Sequence, residues 1–153
     1  SPTKQTIIFE LVLNYINVNK IKEAVVLMEK AYLSAPENET SRIGYIVALI
    51  IAGEEKKAHE LFPNNPEYFS DRRVLSAYVS TKQYSKAIEI FKELIKNSPN
   101  SQELYSGLSE VYLRNGQNYQ AIQILKTAGD KFPELKGQID IFIKQIEEGK
   151  VKI

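Results

Sequence analysis

The feature that most restricts what this chain can fold into is a fixed step between residues of like kind. Pro99 and Pro133 lie 34 residues apart, as do Tyr78 and Tyr112, Ala87 and Ala121, and Ala24 and Ala58. A period of this size implies that one supersecondary unit is stacked several times, because such a unit cannot bury its apolar face alone. Between Ala58 and Ala87 the step falls to 29, so five residues are missing, and Phe62-Pro63 marks the place. The second half of the second unit is therefore expected to be short by more than one helical turn.

Punctuation and spacing identify the unit as helical. The six prolines (Pro2, Pro36, Pro63, Pro66, Pro99, Pro133) sit at the start or in joints rich in Asn, Ser and Glu. Proline lacks the amide proton that a helix interior needs, so each one marks a boundary. Between the joints, apolar residues recur at three and four, as in Ile88, Phe91, Leu94 and Ile95, or Leu108, Val111 and Tyr112. The sequence has no alternating runs of the kind that form strands. Ala24, Ala58, Ala87 and Ala121 each fall early in a second helix, where a methyl side chain lets two helices approach closely.

At these residues the chain resembles the tetratricopeptide repeat family, whose helix-turn-helix unit runs Trp-x2-Leu-Gly-x2-Tyr, then Ala-x3-Phe, then Ala and Pro. The fourth unit matches with Tyr105, Leu108, Ser109, Tyr112, Gly116, Ala121, Leu125, Ala128 and Pro133. The third supplies Val74, Tyr78, Tyr84, Ala87, Phe91 and Pro99, and the first Leu11, Tyr15, Ala24, Met28, Ala31 and Pro36. The second keeps Tyr45, Leu49, Gly53, Ala58 and Phe62 but has no proline at the expected distance. The resemblance implies an all-α, right-handed superhelical solenoid of antiparallel helix pairs forming one domain over 1–153. Its units are expected at about 5–38, 39–67 (truncated), 68–101 and 102–134. A repeat array must also end, since its last unit exposes an apolar face. Residues 135–148 carry Ile139, Phe142, Ile143 and Ile146 on one stripe, with Gly149 where a C-cap belongs, and read as a capping helix.

Composition narrows the function. Twenty Lys plus Arg balance nineteen Asp plus Glu for a net charge of +1, and no third of the chain is markedly basic, which disfavours a nucleic-acid partner. Without cysteine there is no disulfide framework, thiolate metal site or cysteine nucleophile. The single histidine, His59, lies beside the packing alanine with no second histidine near it, and no phosphate loop, nucleophile elbow or calcium loop is present. These observations imply a non-catalytic chain with no cofactor and no metal. The apolar run Ile43 to Ala52 is about half of the roughly 20 residues that a membrane-spanning helix needs, so no direct membrane insertion is expected of this segment. The opening Ser1-Pro2-Thr3, without methionine or signal core, suggests a fragment or a processed protein.

In the family, positions 2, 5, 9, 12 and 13 of each unit face a concave groove. Carried over, the resemblance implies Thr6, Phe9, Leu13, Ile16 and Asn17 in the first unit and Thr40, Ile43, Val47, Ile50 and Ile51 in the second. The third gives Phe69, Arg72, Ser76, Val79 and Ser80, and the fourth Glu103, Ser106, Glu110, Leu113 and Arg114. The groove is thus expected to be apolar toward its N-terminal end; Arg72 and Arg73 read first as a solvated helix start with Asp71 beside them, and otherwise as able to meet an acidic group on a ligand. The stretch 41–52 is apolar on all sides, and a helix like that is normally buried all round, so something is expected to cover its groove face. A bound peptide or amphipathic helix would do so. A homodimer, an upstream segment, or tighter packing with Ile43, Val47 and Ile50 in an ordinary core would do so equally well. The carboxylate clamp known in the family is not matched, since Phe9, Leu13 and Gly44 stand where Lys or Asn is needed and only Arg73 falls on a clamp place.

A further resemblance rests on short strings. Ala58-His59-Glu60-Leu61-Phe62-Pro63, Glu67-Tyr68-Phe69 and Phe142-Ile143-Lys144-Gln145-Ile146 are similar to the repeat tails of some bacterial O-antigen ligase or polymerase-like membrane proteins. That likeness implies an accessory domain tethered to a membrane through a missing N-terminal part. The functional expectations are therefore a peptide-binding scaffold, a self-associating module, or such an accessory domain.

Overall fold

A computed structural model describes residues 2–153, and among them the regular structure is entirely helical. In chain order the helices are α1 (Pro2–Asn17), α2 (Ile21–Ser34), α3 (Glu39–Ile51), α4 (Glu55–Leu61), α5 (Arg72–Ser80), α6 (Tyr84–Asn97), α7 (Gln102–Arg114), α8 (Asn118–Lys131) and α9 (Lys136–Glu147). Two short 3₁₀ turns, Pro66–Ser70 and Pro133–Leu135, each begin on a proline, where the missing N–H has no helical partner to lose. The chain forms two compact units, a first ending at Lys82 and a second, Gln83–Ile153.

Helix α3 is the centre of the first unit. Asn38 caps it by accepting the Ser41 N–H at 3.0 Å. It packs against α1, α2, α4 and α5. From Ile43 to Ile50 every side chain is buried, which accounts for a helix that is apolar on all faces. The buried Ser41 hydroxyl donates to Gln5 Oε1 of α1 at 2.7 Å. Of the coverings expected for 41–52, packing in an ordinary core is the one seen for Ile43 to Ile50, which the chain's own helices enclose, while Ile51 stays half-buried.

The seam residues behave as their spacing implies. Ala24, Ala58, Ala87 and Ala121 are completely buried. Four residues after each lies Met28, Phe62, Phe91 or Leu125, also buried. The missing five residues shorten α4 to 7 residues, against 14 in α2, α6 and α8. Phe62 ends that helix and packs edge-on against Tyr32 and Tyr68.

In the second unit α7 packs between α6 and α8, and α9 closes the end against α8. Ile143 and Ile146 of α9 bury against Leu125, while Ile139 reaches the cluster of Tyr105, Ala128 and Phe132. Beside this stripe α9 carries the exposed pair Lys136–Asp140 at 3.5 Å. Gly149, at φ +68°, ends the helix with its N–H on Ile146 O, and the Lys150 N–H bonds Gln145 O.

Candidate interaction cleft

The first unit holds an open cleft of about 310 Å³ built by three successive first helices. From α1 come Phe9, Leu13, Ile16 and Asn17, from α3 Val47 and Ile51, and from α5 Arg73, Ser76, Ala77 and Ser80. On α1 and α5 the contributing residues recur at three and four, so each helix turns one stripe toward the opening. Leu13 is 38% exposed, whereas Val47 is 2% exposed and touches the cleft from its floor. The rim offers hydroxyls: Ser76 Oγ donates to Arg72 O at 3.0 Å and Ser80 Oγ to Ala77 O at 3.0 Å, which leaves the acceptor lone pairs of both.

Arg73 is the charged residue of the cleft, and its charge is already engaged. Its Nε and Nη2 donate to the two oxygens of Asp71 at 2.8 and 2.9 Å, and Glu39 stands 3.8 Å away. Asp71 also caps α5 by accepting the Arg73 N–H at 2.8 Å. Burial pushes the Asp71 carboxyl upward, but the side-chain and backbone hydrogen bonds from Arg73 and its positive charge outweigh that and hold it below the usual carboxylate range. The same pairing raises the Arg73 guanidinium further.

The structure distributes the remaining expected groove residues differently. Ile43 and Ile50 lie in the core of α3 and line no part of this cleft, because α3 turns those faces into the surrounding helices. Phe69 sits in the first 3₁₀ turn with its ring stacked on His59, centroids 3.9 Å apart. Arg72 is exposed at the start of α5 and does not line the cleft. Glu110 and Arg114 belong to the second unit, where they pair with each other at 2.8 Å. They line a cleft of about 360 Å³ together with Ser106, Leu113, Phe142 and the chain's own Val151–Ile153.

Gly44, where a clamp asparagine would be needed, has no room for one. A Cβ there would stand 2.4 Å from Met28 Cε and 2.9 Å from Phe9 Cδ2.

His59 and the acidic groups near it form packing contacts. Glu55 Oε1 accepts the Tyr78 hydroxyl at 2.8 Å and lies 3.4 Å from His59 Nε2. Burial, then the Glu55 hydrogen bond, pushes the Tyr78 phenol well above its ordinary value, so it stays a neutral donor. Tyr45 is built alike, donating to Glu29 at 2.8 Å with Lys57 over its ring. Among the described residues no three His, Asp or Glu side chains gather as a metal site, and no helix is long and apolar enough to cross a membrane. The strings 58–63, 67–69 and 142–146 serve as the end of α4 with the two residues after it, part of the first 3₁₀ turn, and the C-terminal half of α9.

Residues 78–138 match the family model of the tetratricopeptide repeat. No curated protein sequence matches the chain. Among solved structures, a tetratricopeptide repeat protein from Parabacteroides merdae superposes with a TM-score of 0.58 at 18% identity, covering 93% of this chain and 60% of that one. A Podosopora anserina protein with putative kinesin light chain TPR-like repeats gives 0.56 at 15% identity, covering 96% and 94%. MamA from MSR-1 gives 0.50 at 18% identity, covering 96% and 88%. At these identities the likeness is one of fold: stacked helix pairs of the tetratricopeptide type.

Proposed function

We propose that the chain is a non-catalytic interaction scaffold and that the cleft between α1, α3 and α5 receives a peptide or amphipathic helix of another protein. The observation that carries this reading is the cleft's lining: an apolar floor of Phe9, Leu13, Ile16, Val47 and Ile51 under a rim of Asn17, Ser76 and Ser80. Apolar contact supplies affinity in such a site, and the few polar groups fix orientation. Because Arg73 is neutralised by Asp71, recognition here is apolar and neutral-polar, and an acidic tail gains little from it.

The test is selection of phage-displayed random peptides on the intact chain. Peptides of micromolar affinity are expected, and Leu13→Asp or Ser76→Arg should each weaken them by about tenfold or more. Both positions are solvent-accessible, so the helical circular-dichroism signal and melting temperature should stay near those of the unmodified chain. Peptides that bind both variants as well as they bind the parent overturn the reading, and so does failure to select any.

A further inference from the structure

We infer that the outer face of α1 and α2 is a second docking surface, one that takes an amphipathic helix of a partner protein with acidic residues beside its apolar seam. On α1, Ile7, Leu11 and Tyr15 fall within about 80° of one another around the axis, turned away from the buried Gln5 and Val12, and Val18 follows in the turn just after the helix. Val26 and Leu33 continue the surface on α2. Ile7, Leu11, Val18, Val26 and Leu33 are all exposed, Val18 to 64% and Leu33 to 68%. Contiguous apolar surface of this kind is uncommon unless something docks on it.

The repeat itself says what fits. Moving along the chain by the 34, 29 and 34 steps brings Leu11 to Tyr45 and Leu108, and Tyr15 to Leu49 and Tyr112. These four are buried, and the helix packed on α3 or α7 at this side is the second helix of the preceding pair, α2 or α6. The open face of α1 therefore has the shape and chemistry that this chain elsewhere covers with an amphipathic helix. A cleft of about 330 Å³ between α1 and α2 lies on it, with Tyr15, Val26 and Leu27 in its walls; Lys22, Glu23 and Lys30 also line it, so its charged edge is net positive. The two lysines stand two turns apart on one side of α2, which favours acidic flanks on the incoming helix. They also disfavour a second copy of this chain: a two-fold contact of α2 on α2 centred at Val26 would set Lys22 of each copy against Lys30 of the other.

The probe is a fluorescein-labelled, stapled 14-residue peptide with the sequence of α6, carrying K86E, K92E and K96E. Saturable one-to-one binding to the intact chain is expected in fluorescence anisotropy. The Leu11→Asp/Val26→Asp double variant, altered at exposed positions, should lose at least about tenfold in affinity. The Lys22→Glu/Lys30→Glu variant should weaken the acidic peptide and tighten the unaltered α6 peptide. Ser76→Arg in the cleft should change neither, which keeps this test separate from that of the cleft. No saturable binding, binding that ignores both double variants, or a concentration-dependent doubling of mass that Leu11→Asp abolishes would each overturn the assignment.

Discussion

Two glycines show how finely the helix seams are fitted. Gly44 and Gly107 are 63 residues apart, the sum of a 29 and a 34 step, and each faces the side chain four residues after a buried alanine of the unit before it. A Cβ at Gly107 would stand 2.6 Å from Phe91 Cε1 and Cζ. Alanine in a helix interior gains up to about 1 kcal/mol over glycine, but overpacking a seam costs about 1–3 kcal/mol. Gly107→Ala should therefore lower stability by about 1 kcal/mol in urea unfolding, because the rigid ring cannot retreat. Gly44→Ala should cost less, since the Met28 thioether is flexible. A Gly107→Ala protein as stable as its parent would show that the ring moves freely. The equivalence of the two glycines was legible as spacing. What fills the space beside them was not, because a glycine inside a helix reads as a cost until its neighbour is seen.

At the level of the elements, the turn from first to second helix is the most regular device in the chain. Asn19, Gly53, Lys82 and Gly116 all have positive φ, at 60°, 78°, 60° and 73°, and they follow the same 34, 29 and 34 steps. Each N–H bonds the carbonyl three residues back, at Ile16, Ile50, Val79 and Leu113. Glycine adopts this left-handed conformation freely, asparagine tolerates it, and lysine pays about 1 kcal/mol or more. Lys82→Gly should thus raise stability by up to about 1 kcal/mol, read as a higher urea midpoint at unchanged slope. A lower midpoint would mean that the lysine side chain holds contacts worth more than the strain. The helices and their ends were readable because proline, the alanine seam and apolar spacing all mark the same boundaries. The 3₁₀ turn Pro66–Ser70 was not, since the apolar pair Tyr68-Phe69 there follows no helical stripe.

Across the whole molecule, the sequence led to the inner helix face but left its depth open. Phe9, Leu13, Ile16, Val47 and Ser76 meet in one cleft, whereas Ile43 and Ile50 lie within the core. Periodicity tells which residues share a face, but not how closely the neighbouring helices close over it. Val47→Glu should accordingly cost at least about 3 kcal/mol, because it places a carboxylate in the centre of the first unit. The expected readout is a large fall in melting temperature. A variant that melts like its parent but no longer binds selected peptides would return Val47 to the open surface. The five-residue deficit in α4 lies beyond Ala58 and Phe62, so it removes the tail of a helix and none of the residues on which the next unit is registered. The stretch from Pro63 to Asp71 is, in effect, this chain's expansion joint: changes of length are absorbed there while the stacking rhythm on either side continues unshifted.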